Sequence, residues 1–524
     1  MGNFSRSQSV RKHVVATKGG VVAAQHRVAA EIGASVLEAG GDAVDAAVAT
    51  SFAIGVVEPW MSGPAGGGAM VVWREDEQQA RTIQFGMRSP ASLNPAHYPL
   101  SGAGKASDLF PWPAVADDRN VQGATAIAVP GTVAGMELAH ETYGVLSWKD
   151  LLLPVVGLAR EGLLVDWYAS LLIASTAREL AKDADAAALF LDDGQWPKIA
   201  GWTALSATRL NQDRMADTLT RLAEAGGRDF YEGDIAAALV ADIQAKGGSL
   251  SRDDLMSYRA QLTGTINTPY RGGTVHAAQG LTAGRNLADC LAMMEKTFAP
   301  GARPDSTSFA EMARALGKTY ERRLREMGDA EAPHAPSCTT HFSVVDKNGN
   351  MCAVTQTLLS IFGSRVVSPS TGLLMNNGIM WFDPEPGKPN SLAPGKGCLM
   401  NVCPTIGEKD GRRFAIGASG GRKILPAVLN LTSFMTDFGM SLEEAFHHPR
   451  IDNSGAGTIV ADETLAPDIL AALEGIHPVV TTQRTVFPYA FACPAGVIRE
   501  NGMNMGCTEV MSPWGDAVHE KEGS

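Results

Sequence analysis

The apolar positions of the chain change their period part-way along it. Over residues 21–37, Ala and Val recur on one face, which predicts a helix stopped by Gly40-Gly41. Asp42 then caps a second helix, Ala43-Val44-Asp45-Ala46-Ala47-Val48-Ala49-Thr50, whose small side chains suit close packing in a core. Three glycines, Gly66-Gly67-Gly68, run into the strand Val71-Val72-Trp73. Pro130-Gly131-Thr132 opens a further helical region, and residues 148–260 alternate helical patterns with short loops. A strand over 270–277, a helix over 286–296 and a strongly amphipathic helix over 306–327, its charges on the outer face, complete the first part. Beyond residue 337 strands dominate, over 342–346, 351–358, 373–375 and 414–418, with helices over 424–437 and 442–448. A helix-rich first part and a strand-rich second part, each holding strands, predict an α+β sandwich in which both share one core.

The two regimes meet at a hairpin. Ser337-Cys338-Thr339-Thr340-His341-Phe342-Ser343-Val344-Val345-Asp346 reads as a strand, Lys347-Asn348-Gly349-Asn350 as a tight turn, and the return strand carries Thr355-Gln356-Thr357. Residues 328–336, polar and proline-bearing, are expected to be a movable surface segment leading into it. If Thr339 became a chain terminus, its own amine would sit beside its own hydroxyl, a base next to a nucleophile.

Composition narrows the alternatives. With 524 residues, 45% of them hydrophobic, the chain can bury a large core. A net charge of -12 argues against nucleic acid or an anionic membrane as partner. The basic residues near the amino terminus are not followed by an apolar run, because Thr17-Lys18-Gly19-Gly20 interrupts it. Later apolar windows such as 46–57 fall short of the roughly 18 residues a spanning helix requires. A cytoplasmic protein is expected. The seven cysteines form no CxxC pair, and the neighbours His447-His448 point apart on a helix, so neither a metal nor another cofactor is expected. A strand follows the three glycines and no Gly-Lys-Ser/Thr is present, which excludes a P-loop. Arg88, after the next strand, is the anion-binding candidate of this region, although a lone arginine there is commonly a surface or ion-pair residue.

Gly41-Asp42-Ala43-Val44-Asp45-Ala46-Ala47, Glu58-Pro59, Gly66-Gly67-Gly68, Pro130-Gly131-Thr132, Thr339-Thr340-His341-Phe342-Ser343-Val344-Val345-Asp346 and Gly420-Gly421 together resemble the γ-glutamyltransferase family over residues 18–510. The resemblance implies the four-layer αββα fold of the N-terminal-nucleophile hydrolases, formed jointly by both parts of the chain. It also implies an inactive precursor cut between Cys338 and Thr339. A large subunit region (1–338) and a small one (339–524) would result, in pieces of 338 and 186 residues, with the option of a dimer of such pairs. Thr339 is then the nucleophile, Thr357 the threonine that orients it, and Gly420 and Gly421 the backbone donors of the oxyanion hole. Asn376 and Asn377 match an asparagine pair that either contacts substrate or braces the pocket. A plain β-branched strand residue is the lesser reading of Thr357, and Cys338 invites a cysteine nucleophile, but the family match puts the key position at Thr339.

Other positions depart from the family. Gly86, Leu359, Gly378, Trp381 and Met400-Asn401 stand where the family carries the polar set that holds a glutamyl α-carboxylate and α-amine. Leaving either charge of such a head group unpaired in a buried site costs on the order of 1–3 kcal/mol or more. The expected substrate is therefore a small amide with a more apolar acyl group, lined by Leu359, Trp381 and Asn401, with Arg88 kept for an acidic group. The stretch from Trp381 to Asn390 is either a stiff lid or a loop anchored by Trp381 and Phe382. A self-processing threonine amidohydrolase or acyltransferase is the leading reading. A γ-glutamyl enzyme acting on glutathione-like compounds is the alternative, and an unprocessed ligand-binding member is the third.

Overall fold

The computed structural model describes residues 10–105, 112–199, 201, 203, 206–327, 338–454, 457–485, 487 and 489–521. The expected movable segment at 328–336 lies outside them. Two seven-stranded sheets form the centre. The strands, in chain order, are β1 (Val15–Thr17), β2 (Val21–Ala24), β3 (Gly67–Arg74), β4 (Gln79–Phe85), β5 (Gln261–Gly264), β6 (Ile266–Tyr270), β7 (Gly273–Ala277), β8 (Cys338–Val345), β9 (Met351–Leu359), β10 (Thr405–Lys409), β11 (Arg412–Ser419), β12 (Cys493–Glu500), β13 (Met503–Thr508) and β14 (Asp516–His519). One sheet has the order β5-β4-β3-β9-β8-β2-β14 and the other β1-β13-β12-β11-β10-β7-β6.

The central strands of the first sheet, β2, β3, β8 and β9, are buried on both faces, and their side chains alternate between two cores. Val22, Ala24, Met70, Val72, Phe342, Val344, Cys352 and Val354 join a core shared with helices α1 (Arg27–Glu38), α2 (Ala43–Val57), α3 (Thr132–Tyr143) and α4 (Trp148–Glu161). Val21, Ala23, Ala69, Val71, Val345, Met351 and Ala353 instead meet Ile406, Ala415, Ala495 and Val497 of the second sheet. That sheet is covered in turn by α5 (Gly284–Thr297), α6 (Ser306–Met327) and α7 (Ile424–Thr436). The layers run helix, sheet, sheet, helix, the α+β sandwich expected.

Two elements differ from the sequence reading. Residues 21–37 are not one helix: Val21–Ala24 is a strand between β8 and β14, and α1 starts at Arg27 after His26, whose Nδ1 caps Val28 N–H. A short, wholly apolar run suits a strand buried on both faces as well as it suits a helix, and periodicity cannot separate the two. Residues 373–375 form no strand; Leu374 makes a single bridge to Val367. Among the described residues no helix is long and apolar enough to cross a membrane.

Candidate active site

The hairpin β8–β9 is locked at its turn. Asp346 accepts from the N–H groups of Asn348 and Asn350, from Asn350 Nδ2 at 2.7 Å and from Ala43 N–H, which ties the turn to the first turn of α2. At its open end the pairing slips: Cys338 faces Leu359 and Thr340 faces Gln356, so β9 has one residue more than β8. The slip turns Leu359 to φ 88°, a left-handed conformation that strains a non-glycine residue. Its N–H donates to Thr357 Oγ1 at 2.8 Å, and Thr339 Oγ1 donates to the same hydroxyl at 3.4 Å. Both threonines are buried. Thr339 and Thr357, predicted as nucleophile and orienting residue, are thus brought together.

Neighbouring loops brace this end of the hairpin. A Cβ on Gly66 would lie 2.4 Å from Thr357 O, so the three glycines allow the loop before β3 to press on the β9 backbone. Gln356 is held by Ser51 and Ser62, and Met61 O accepts from Leu358 N–H. The Gly420–Gly421 pair leaves β11 with φ values of 138° and 57° and leads into α7. Ser419, just before it, pairs with Cys493. Burial first, then Glu509, push the Cys493 thiol up. The Glu58 carboxylate accepts from Thr340 Oγ1 at 3.4 Å. Gly417, three residues before the glycine pair, packs against the His341 ring, two residues after Thr339, so closely that an added Cβ would lie 2.3 Å from it.

The other predicted residues have more varied surroundings. Asn376 donates to Ala65 O and Ala128 O and accepts from the N–H groups of Ala128 and Gly378, which uses all four of its side-chain bonding positions inside the protein. Asn377 accepts from Ser360 N–H and donates to Val121 O and Ser360 Oγ. Of the two roles left open, these contacts speak for bracing. Leu359, Trp381 and Met400 share one buried apolar cluster with Met87, Met380 and Phe382, and the Trp381–Phe382 turn is anchored in it. Arg88 turns its guanidinium to Asp254 O at 3.1 Å, to Ser257 Oγ and to the Tyr258 ring.

The electrostatics are those of a dry site. Burial pushes the Glu58 carboxyl up to about 8, opposed by the Thr340 hydrogen bond. Burial also holds His341 down to about 3, with Nδ1 2.8 Å from Thr355 Oγ1 and Nε2 2.9 Å from Ser343 Oγ. Lys423, just after the glycine pair, is lowered by burial and donates to Tyr489 O and Ala490 O.

The sequence model of the family described as Gamma-glutamyltranspeptidase matches residues 29–338 and 325–490. The chain belongs to this family. It is accordingly an enzyme of the N-terminal-nucleophile hydrolase type. The Acylase ACY 1 proenzyme of Pseudomonas sp. (strain V22) is 33% identical over 504 residues, 89% of this chain and 88% of that protein. The glutathione hydrolase proenzyme of Pseudomonas sp. (strain A14) is 31% identical over 514 residues, 88% and 86% of the two chains. Among solved structures, the cephalosporin acylase from Bacillus halodurans shares the fold, with a TM-score of 0.83 at 24% identity and 99% of both chains covered.

Against this family background two side chains stand out that the sequence reading passed over. Glu58 was visible only as part of the Glu58-Pro59 motif, and its place beneath Thr340 depends on how α2 ends. Arg323 lies on the buried stripe of α6 formed by Phe309, Met312, Ala313, Leu316 and Tyr320. The signal was present, since position 323 continues their spacing of three and four, but an arginine counted as a charged outer residue.

Proposed function

We propose that this family member is a self-processing threonine amidohydrolase or acyltransferase acting on a small amide other than a standard γ-glutamyl compound. The observation that carries the reading is the buried Thr339 hydroxyl, donating to Thr357 at the open end of the hairpin. In the uncut chain the Thr339 hydroxyl attacks the Cys338 carbonyl, an N-to-O acyl shift gives an ester, and water releases residues 1–338 as a carboxylate. The freed α-amine, with an ordinary pKa near 8, then takes the proton of the same hydroxyl as it attacks the substrate amide. The amine leaves, the acyl group stays on Thr339 Oγ1 as an ester, and water or an acceptor amine removes it. The N–H groups of Gly420 and Gly421 fit the role of oxyanion donors, because backbone without side chains permits so close an approach.

The acylase relative and the apolar cluster of Leu359, Trp381 and Met400 support a non-glutamyl acyl group. The glutathione hydrolase relative favours the second reading, a γ-glutamyl substrate. A panel of anilides separates them: the first reading expects turnover of simple acyl anilides and little of γ-glutamyl-p-nitroanilide, and rapid release from the γ-glutamyl compound would overturn it. Thr339→Ala is expected to leave one band near 55 kDa on a denaturing gel and no turnover. Cleavage in that variant would remove Thr339 from the mechanism.

A further inference from the structure

Gly420 and Gly421 need bracing from outside their own turn. Gly420 has φ 138° and ψ 24°, and Gly421 has φ 57°. Glycine adopts such backbone because it carries no side chain, and the same freedom lets the peptide between the two rotate at little cost. An oxyanion donor, however, must point one way before the reaction starts. On the N-terminal side of Gly420 the ladder ends at Ser419, paired with Cys493, and on its C-terminal side Lys423 N–H donates to Gly420 O at 3.1 Å. The Cα of Gly420 is braced as well. A Cβ there would lie 2.8 Å from Ala492 Cβ and 2.9 Å from Ala492 Cα, so the segment that leads into β12 packs directly on the glycine. The place of residues 489–492 therefore decides where Gly420 sits.

Lys423 also acts on that segment with its side chain. The ammonium group donates to Tyr489 O and, at 3.1 Å, to Ala490 O. Burial lowers the pKa of this lysine, opposed by Asp452 and then by Cys493. An ammonium is costly to bury; what it supplies here is a pair of charge-assisted bonds to adjacent carbonyls of one segment. Tyr489 is held at its other end too. Its hydroxyl lies 2.6 Å from that of Tyr168, on the helix Trp167–Leu180, whose N-cap is Asp166. Asp166 in turn accepts from Trp514 Nε1, and the Trp514 and Tyr168 rings meet edge to face with centroids 4.6 Å apart. Tyr489 thus joins two parts of the chain: its carbonyl is tied to Lys423, just after the glycine pair, and its ring to a helix from before the Cys338–Thr339 junction.

We propose that Lys423 is a positioning residue: by clamping Tyr489 and Ala490 it presses Ala492 onto Gly420 and fixes the direction of the Gly420 and Gly421 N–H groups, with Tyr168 holding the far end of the clamp. For catalysis this rests on the reading above, in which those N–H groups receive the oxyanion formed at Thr339; the clamp itself does not. Acting through the glycine pair, Lys423 serves the step in which negative charge develops and leaves ground-state binding nearly alone.

The test uses the full-length purified protein as wild type, Lys423→Met, Lys423→Arg and Tyr168→Phe, read by hydrogen–deuterium exchange and by turnover of the fastest anilide of the panel above. In Lys423→Met the amides of residues 420–422 and 489–493 are expected to exchange about tenfold faster than in the wild type. Its kcat is expected to fall about thirtyfold while KM changes by less than about threefold. Lys423→Arg keeps a cation that can reach both carbonyls and should restore the exchange pattern and most of kcat. Tyr168→Phe removes only the hydroxyl at the far end; faster exchange over both segments and a kcat about fivefold lower are expected, which keeps the test open if Lys423→Met does not fold. Unchanged exchange over 420–422 in Lys423→Met, or in Tyr168→Phe where the lysine variant does not fold, overturns the clamp. A rise in KM at constant kcat places Lys423 in substrate binding and overturns its positioning role. Equal kcat in wild type and Lys423→Met keeps the amidohydrolase and sinks this inference. A wild type that neither cleaves itself nor turns over any anilide sinks the amidohydrolase, and the exchange result alone then decides the clamp.

Discussion

Thr357 holds two groups with one oxygen, accepting from Leu359 N–H at 2.8 Å and from the Thr339 hydroxyl at 3.4 Å. Thr357→Val keeps the shape and removes both bonds. Leaving a buried N–H without an acceptor costs about 1–3 kcal/mol, and loss of the orienting hydroxyl is expected to lower turnover by about a hundredfold. Urea midpoints and kcat report the two effects separately. Glu58 carries a different prediction. Its folded pKa, about 8, stands above the ordinary 4.5, so the unfolded chain gives up this proton first as pH rises. The stability contributed by the protonated carboxyl is complete below 4.5 and is lost as pH climbs through 8, at up to about 1.4 kcal/mol per pH unit. Glu58→Gln cannot ionise, so its stability relative to the wild type should rise from pH 5 to pH 8. A pH-independent difference between the two proteins would show that this carboxyl does not titrate as the fold implies. Neither residue's task could be read from its own identity, since both depend on which hydroxyl lies opposite.

At the scale of elements, the contact of β8 with β11 across the two sheets sets the site. A Cβ on Gly417 would fall 2.3 Å from the His341 ring, and that ring is fixed by Thr355 and Ser343 on its two nitrogens. Gly417→Ala must therefore shift β11, whose end carries Gly420 and Gly421. We expect a loss of about 1–3 kcal/mol from overpacking and a fall in kcat/KM larger than a melting shift of that size explains. Unchanged kcat/KM in the folded variant would mean that the glycine pair is not positioned through this contact. The hairpin, its turn and the hydroxyls at its mouth were legible because their signals are local. The strand Val21–Ala24 was not, because its state depends on β8 and β14, hundreds of residues away in the chain.

At the scale of the whole molecule, the Cys338–Thr339 junction lies inside a sheet that mixes both parts of the chain. In the order β5-β4-β3-β9-β8-β2-β14, β8 and β9 lie between β3 and β2, which come from before the junction, and β14 after it closes the edge beside β2. A cut there breaks one covalent bond and leaves every strand pair made by β8, β9 and their neighbours to hold the pieces. Cleaved protein is expected to elute as a single species in gel filtration and to separate into chains of 338 and 186 residues only on a denaturing gel. Separation of the two chains under native conditions would contradict the interleaved sheet.

The sequence by itself determined the family and the layered α+β class, because short motifs with fixed chemistry carry that information. Gly86, Leu359, Gly378, Trp381 and Met400 stand in the sequence where the resemblance places the polar set for a γ-glutamyl head group. Only the tertiary structure decided how the side chains around those positions are held. It turned Arg88 toward the Asp254–Ser257 turn, closed Asn376 and Asn377 into bracing contacts, and set Arg323 of α6 against Met400 and Asn401. The physical reason is that charge recognition depends on which groups are desolvated together, and burial of that kind is a property of packed elements rather than of residues in a row.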